Sequence, residues 1–201
     1  KRSDYGGFLW ARLARVYPLH LFTLFGVIAL GLAATVAGMS LNANMLDWAS
    51  LPANLAMVHA WGLSPEAAFN HPSWSISAEW FAYLAFPVFA AVAWRMRDRP
   101  WIALAATAAF IPAIYLVFQA LAGFPLTQAT IRWGALRIVP CFAYGCALYL
   151  IYRRGPVPRP GLLAGVAALG LMAAAALGAP DALIVLAAGL MILGLAALPN
   201  S

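Results

Sequence analysis

Two short blocks of this sequence carry residue types that could do chemistry. The first is Arg12 and Arg15. Three residues apart on a helix, they share one face. Two guanidiniums so placed can grip a phosphate with paired hydrogen bonds. A juxtamembrane arginine pair also serves as a topology signal and headgroup contact. The second block holds Ser75, Glu79 and Tyr83, spaced i, i+4, i+8, which gives an otherwise apolar segment one polar face. A carboxylate at membrane depth is costly and faces a bundle interior or a wet cavity. Arg137 is the other intramembrane charge. By helical rise, Glu79 lies roughly 7–8 Å past Trp74 and Arg137 roughly 6 Å past Trp133. The two are expected at similar depth, paired directly or through a substrate. An ion pair joining two helices and the wall of a polar cavity are both open readings.

The remaining candidates are scattered. His71 precedes the Glu79 segment and could exchange protons near neutral pH; a solvated loop residue is the simpler reading. His20 lies five residues beyond Arg15, about 140° around a helix from it, and reads as a satisfied buried imidazole. His59 reads as structural. Their spacing matches no metal site, so no metal is expected. Cys141 and Cys146 are also about 140° apart on a helix and read as small buried thiols. Neither a Gly-x-Ser-x-Gly elbow nor a phosphate-binding Gly-rich loop occurs.

The elements that must position these residues follow from composition. Of 201 residues, 65% are hydrophobic and 9% charged. So few charges cannot cover a water-facing surface. The net charge of +6 is broken into short clusters between apolar runs. No continuous basic face suggests nucleic acid. Six runs approach the length of a membrane span: residues 17–38, 74–94, 101–121, 133–152, 161–178 and 182–198. The expected fold is all-α, a polytopic integral membrane helix bundle of about six transmembrane helices. Lys1, Arg2, Arg12, Arg15, Arg95, Arg97, Arg99, Arg153, Arg154 and Arg159 fall on one side if each run crosses once, leaving Arg132 and Arg137 elsewhere. That places both termini in the cytoplasm. Residues 39–73 become an outer loop with an interfacial or re-entrant stretch at 51–63. Trp48, Trp61, Trp74 and Trp133 are expected near the outer interface. Pro87 is placed to kink its helix, and Gly161 with Gly165 to let two helices approach. The start at Lys1 and the stop at Ser201 suggest a piece of a longer protein.

At this point the chain resembles a known family. Arg12-Leu13-Ala14-Arg15-Val16-Tyr17-Pro18-Leu19 looks like the Arg-x-x-Arg block, followed by Tyr-Pro, of the acyltransferase-3 family. Trp74-Ser75-Ile76-Ser77-Ala78-Glu79-Trp80-Phe81-Ala82-Tyr83, with Phe86-Pro87, looks like its Trp-Ser-Leu-Ser-x-Glu-x-x-x-Tyr block. Arg137 to Gly145 and the stretch Leu51-Pro52-Ala53-Asn54-Leu55 with Trp61 are weaker matches. The resemblance runs from about Phe8 to Leu150. It implies a single membrane acyltransferase domain, incomplete at both ends, in a bacterial inner membrane. It implies transfer of an acyl group, often acetyl, from acyl-CoA as co-substrate to a hydroxyl on a saccharide or lipid-linked acceptor. No bound cofactor is implied. Arg12 and Arg15 inherit the handling of the acyl donor. The family's catalytic His precedes the Arg-x-x-Arg block, and none of His20, His59 or His71 matches it. The fragment is therefore expected to be inactive alone, with Glu79, Arg137, Ser75, Tyr83 and His71 as supporting residues.

Two other classes share these features. Buried Glu and Arg with Pro-interrupted helices also mark transport paths, so a secondary transporter or exporter of a polar or anionic small molecule is the alternative. No inverted repeat relates the two halves. A structural membrane subunit would keep every activity when Glu79 is replaced by Gln.

Overall fold

The computed structural model describes residues 4–42, 44–64 and 66–199. Lys1 and Arg2, counted above among the inner-side charges, lie outside them. The described residues are helical, without a strand. Seven α-helices follow in order: α1 (Tyr5–Val36), α2 (Leu51–Leu55), α3 (Trp74–Arg95), α4 (Pro100–Ala122), α5 (Gly134–Arg154), α6 (Pro160–Ala176) and α7 (Asp181–Ala196). Four segments are long and apolar enough to cross a bilayer: Tyr5–Val36, His71–Arg95, Pro100–Ala122 and Gly134–Arg154. α6 and α7 are apolar but shorter. Such helices satisfy most of their backbone groups inside the segment, which lipid demands. Large apolar side chains point outward, among them Trp10, Phe22, Leu30 and Val36 on α1 and Leu116 and Leu121 on α4. In water these would form an aggregating surface.

All six apolar runs are helical, but α1 starts twelve residues before the expected span. Asp4 caps it by accepting the Gly7 N–H at 3.0 Å. Such a cap satisfies a donor that the first turn leaves open. Arg12 and Arg15 therefore sit inside a continuous helix. Pro18, Pro87, Pro112 and Pro140 are each accommodated within a helix.

The chain forms two compact units: Lys1–Ala85 with Ala129–Ile138, and Phe86–Gln128 with Val139–Ser201. In the first unit, Leu24 of α1 packs with Ala68 and Phe69 of the loop, flanked by Val27, Ile28, Leu46, Leu51 and Leu55. Met57 and Phe69 are both buried in left-handed backbone conformations. Packing holds these uncommon geometries. Residues 51–63, expected to be interfacial or re-entrant, form α2 and the wide turn His59–Leu63. Trp61 lies against α3: its indole N–H donates to the Ser77 carbonyl at 2.9 Å, and its ring meets Phe81 edge-on at 5.3 Å.

In the second unit, the Tyr144 hydroxyl donates to the Leu186 carbonyl at 3.2 Å, and Phe89 meets Phe142 at 4.7 Å. The Thr127 hydroxyl donates to Asp181. The close approach expected at Gly161 and Gly165 occurs one helix later. A Cβ on Gly165 would meet nothing within 4 Å, whereas one on Gly194 of α7 would lie 2.7 Å from the Ala164 nitrogen and 2.8 Å from the Pro160 carbonyl. Only a residue without a Cβ lets the α6 and α7 backbones come that close. Gly194→Val should destabilise the fold by about 1–3 kcal/mol, the range for overpacking, while Gly165→Ala leaves it intact. Thermal melts of both variants in detergent check this.

Candidate functional site

The first unit holds two polar clusters, and the reactive residue types divide between them. The first lies along α1 and α3. Tyr5 donates to the Leu84 carbonyl at 2.9 Å, which fixes the start of α1 beside the middle of α3. Two turns further on, the Arg12 guanidinium stands 5.3 Å from the Phe8 ring centre and 5.4 Å from that of Tyr83. Phe8 and Tyr83 meet each other edge-on at 5.9 Å. A cation held between two aromatic faces gains electrostatically, the more so where water is scarce. The Tyr83 hydroxyl donates to the Glu79 carboxylate, one turn back on α3. Arg15 is near enough for its charge to act on Tyr83. Arg12 and Tyr83 are half-buried, while Arg15, Ser75 and Glu79 are exposed. The expected Ser75–Glu79–Tyr83 face is thus present, and Arg12 and Arg15 stand beside its lower end.

Arg137 and His71 are not part of it. The direct Glu79–Arg137 pair does not form. Arg137 stands over the Trp74 ring, 5.0 Å from its centre. Trp74 is five residues before Glu79, hence about 140° around α3 from it. Matching depth placed the two charges at one level, but depth does not fix azimuth. Glu79 instead joins the arginines expected to stand apart from it, because α1 starts early enough to bring Arg12 to Tyr83. His71 is exposed in the turn before α3. The Ser75 hydroxyl donates to the Pro72 carbonyl at 3.1 Å.

The second cluster is buried and ties α1 to the loop and to the start of α3. His20 donates from Nε2 to the Asn54 carbonyl at 2.8 Å, and Asn54 Nδ2 donates to the Ser50 carbonyl at 2.9 Å. His59 Nε2 meets Ser73 Oγ at 3.1 Å. Ser73 donates to the Asn70 carbonyl at 2.7 Å, and Asn70 Nδ2 donates to Thr23 Oγ1 at 3.1 Å. The Ala60 N–H donates to Ser77 Oγ at 3.0 Å. The His20 and His59 rings lie parallel, 6.2 Å apart. Burial pushes the His59 imidazole down to about 4, the charge of His20 adds to this, and the Ala53 and Ser73 backbones oppose it. In sequence His20 and His59 stand far apart, each on its own a buried or structural residue. Their association was signalled only by polar residues recurring in apolar stretches, at Asn54, Ser73 and Ser77. Among the described residues, no group of three or more His, Cys, Asp or Glu could hold a metal ion. Cys141 and Cys146 are not joined in a disulfide, and the Cys141 thiol meets the Tyr115 hydroxyl at 3.9 Å.

Residues 1–201 match the acyltransferase-3 family, described as an acyltransferase domain. The chain is similar to Acyltransferase MdmB of Streptomyces mycarofaciens, 34% identical over 184 residues that take in 83% of this chain and 44% of that protein. It thus spans under half the length of that relative. No solved structure matches.

The His59 environment sets the sign of a pH effect. Folding holds the ring neutral, so its stabilising share is full above the ordinary value of 6.5 and is lost as pH falls towards about 4. Melting temperature in detergent should drop across that window, by the equivalent of at most about 3 kcal/mol. In His59→Gln the drop should shrink. Equal drops in both proteins would show that another group sets the pH dependence.

Proposed function

Because the chain belongs to the acyltransferase-3 family, we propose that it is the part of a membrane acyltransferase that holds an acyl-CoA donor and passes its acyl group, often acetyl, to a hydroxyl of a saccharide or similar acceptor. The observation that carries this reading is the placing of Arg12 and Arg15 beside the Tyr83–Glu79 pair on an open polar face. A coenzyme donor presents phosphates, and two guanidiniums on one helix face meet them with charge-assisted hydrogen bonds. Arg12 is already seated on two rings, so less freedom is lost when it binds. Arg15, exposed, is open to a ligand. In a chain of apolar helices an uncovered carboxylate such as Glu79 marks a wet path. In this reading Glu79 and Tyr83 line the route of the acyl group from the donor towards the acceptor.

In chemical terms, the acceptor oxygen attacks the thioester carbonyl, the coenzyme thiolate leaves, and the hydroxyl proton goes to a base. The resemblance assigns that base to a histidine before the Arg-x-x-Arg block. Arg137, standing on Trp74 away from the arginine pair, is assigned to the acceptor end of the same domain. Six crossings with both termini inside place the donor arginines at the cytoplasmic face, where acyl-CoA is found, in a bacterial cell membrane. Four helices are long and apolar enough to cross a bilayer, and α6 and α7 are apolar but shorter.

The test uses the whole protein in detergent or vesicles, with acyl-CoA-dependent transfer as the readout. Arg12→Ala and Arg15→Ala should each raise the KM for acyl-CoA by about tenfold to a hundredfold, the range for losing a hydrogen bond to a charged group. The double variant should lose transfer altogether. Normal transfer in the double variant would remove the donor role. Tyr83→Phe keeps a ring under Arg12 but deletes the hydroxyl that Glu79 accepts. A smaller loss in kcat is expected, about fivefold, with the KM for acyl-CoA nearly unchanged.

A further inference from the structure

A cavity of about 550 Å³ lies between α5 and α7 of the second unit. Its walls run from Cys141 to Tyr152 on α5 and from Val185 to Ala196 on α7. From residue 141 to residue 152 a helix rises by roughly 16 Å. That is about half of the roughly 30 Å hydrocarbon core, the depth of one leaflet. Where the helices touch, Tyr144 and Leu148 press on Gly189, and a Cβ there would overlap the Tyr144 ring. Gly145 also lines the cavity, but a Cβ on it would meet nothing within 4 Å. The space beside Gly145 is therefore open along an otherwise apolar wall. Tyr149 and Tyr152, 55% and 46% exposed, bring hydroxyls to one end of it. The same end carries charge. Arg153 Nη1 donates to the Tyr149 hydroxyl at 3.3 Å, with the guanidinium 5.9 Å from the centre of that ring. Arg154 follows in the last turn of α5. Among the described residues, neither arginine has a carboxylate partner.

We propose that this cavity binds one acyl chain of an anionic phospholipid, with the phosphate of its headgroup at Arg153. An apolar slot one leaflet deep takes a hydrocarbon chain, and burying that chain beside Gly145 removes apolar surface from other surroundings at no polar cost. A chain without a charged head would leave two arginines unmatched. A free anion would meet the arginines and leave the slot unused. Arg153 can pair with phosphate oxygens through parallel N–H groups. The Tyr149 hydroxyl accepts from Arg153 and still has its own proton to give a phosphate. A zwitterionic lipid carries a cation beyond its phosphate, which neighbouring guanidiniums repel; an anionic lipid carries none. Basic pockets between membrane helices take anionic headgroups for this reason. Cations in a last helical turn also offset the helix dipole, but that role is indifferent to which lipid surrounds the chain. The inference does not depend on the acyl-transfer reading.

Native mass spectrometry of the full chain tests it, after release from nanodiscs of equal parts phosphatidylglycerol and phosphatidylcholine with the same long chains. One phosphatidylglycerol should stay bound, preferred over phosphatidylcholine by about tenfold, the scale set by two cations near an anionic headgroup. Dihexanoyl phosphatidylglycerol, which has the head without the long chain, should not displace it, and neither should inorganic phosphate. Gly145→Leu puts a side chain into the open space and should abolish the retained lipid with both arginines intact. Arg153→Gln combined with Arg154→Gln should remove the preference between the two lipids. Equal retention of both lipids by the unsubstituted chain overturns the proposal. So does displacement by the short-chain lipid or by phosphate, or full retention in Gly145→Leu. A chain released as a dimer without lipid also overturns it and gives the cavity to a second copy. The unsubstituted chain alone separates head from chain, so a variant that does not fold leaves the test intact.

Discussion

A polar atom among apolar helices has no solvent to fall back on, and most of the first unit is arranged around that constraint. α1 carries His20 and Thr23 at depths where an unpaired donor would be costly. The loop supplies the Asn54 carbonyl for His20, and Asn70 reaches Thr23. Ser77, fully buried, accepts the Ala60 N–H, and its carbonyl accepts the Trp61 indole. Each bond joins segments distant in sequence. Together they fix the loop against α1 and the start of α3, with Leu24 and Phe69 packed beside them.

That anchoring has a consequence lower down. With Tyr17 donating to the Leu55 carbonyl at 3.0 Å and Tyr5 to the Leu84 carbonyl, α1 is held at two levels. Its register against α3 is therefore set, and Arg12 falls on Tyr83. A lysine would not be equivalent there. A planar guanidinium can lie on ring faces and still present N–H groups at its edge, whereas an ammonium is a compact, strongly hydrated point charge. The aromatic seat holds the guanidinium, and Glu79 accepts from the Tyr83 hydroxyl. The chain that carries this arrangement belongs to the acyltransferase-3 family.

The two clusters divide labour by exposure. His20, His59 and Asn54 are closed off, and their hydrogen bonds hold segments together. Arg15, Glu79 and Ser75 are open, and their polarity is out of keeping with the apolar side chains around the helices. A polar group closed off from solvent depends on protein partners, whereas an exposed one keeps a face open. The second unit packs through apolar contacts at Gly194 and Tyr144, and among its exposed charges Arg97 pairs with Asp98 in the turn after α3.

Much of this was legible in one sequence. Six apolar runs announced six helices, because hydrophobic length and low charge leave a lipid-facing chain no other secondary structure. The i, i+4, i+8 spacing gave the Ser75–Glu79–Tyr83 face, and Arg12 with Arg15 gave a second one, since helical periodicity fixes angles about a helix's own axis. Periodicity does not say which neighbour a face meets. Glu79 was matched to Arg137 by depth, yet it joined the Arg12 side through Tyr83, because contact depends on azimuth and on the early start of α1. The association of His20 with His59, across 38 intervening residues of chain, depends on how the loop folds back. The close approach of α6 and α7 fell on Gly194 and not on Gly165, since a glycine matters only where another backbone presses on it. Local composition therefore determined what each segment is and which residues share its faces. The tertiary fold alone decided which faces touch, because that choice rests on contacts between residues far apart in the chain.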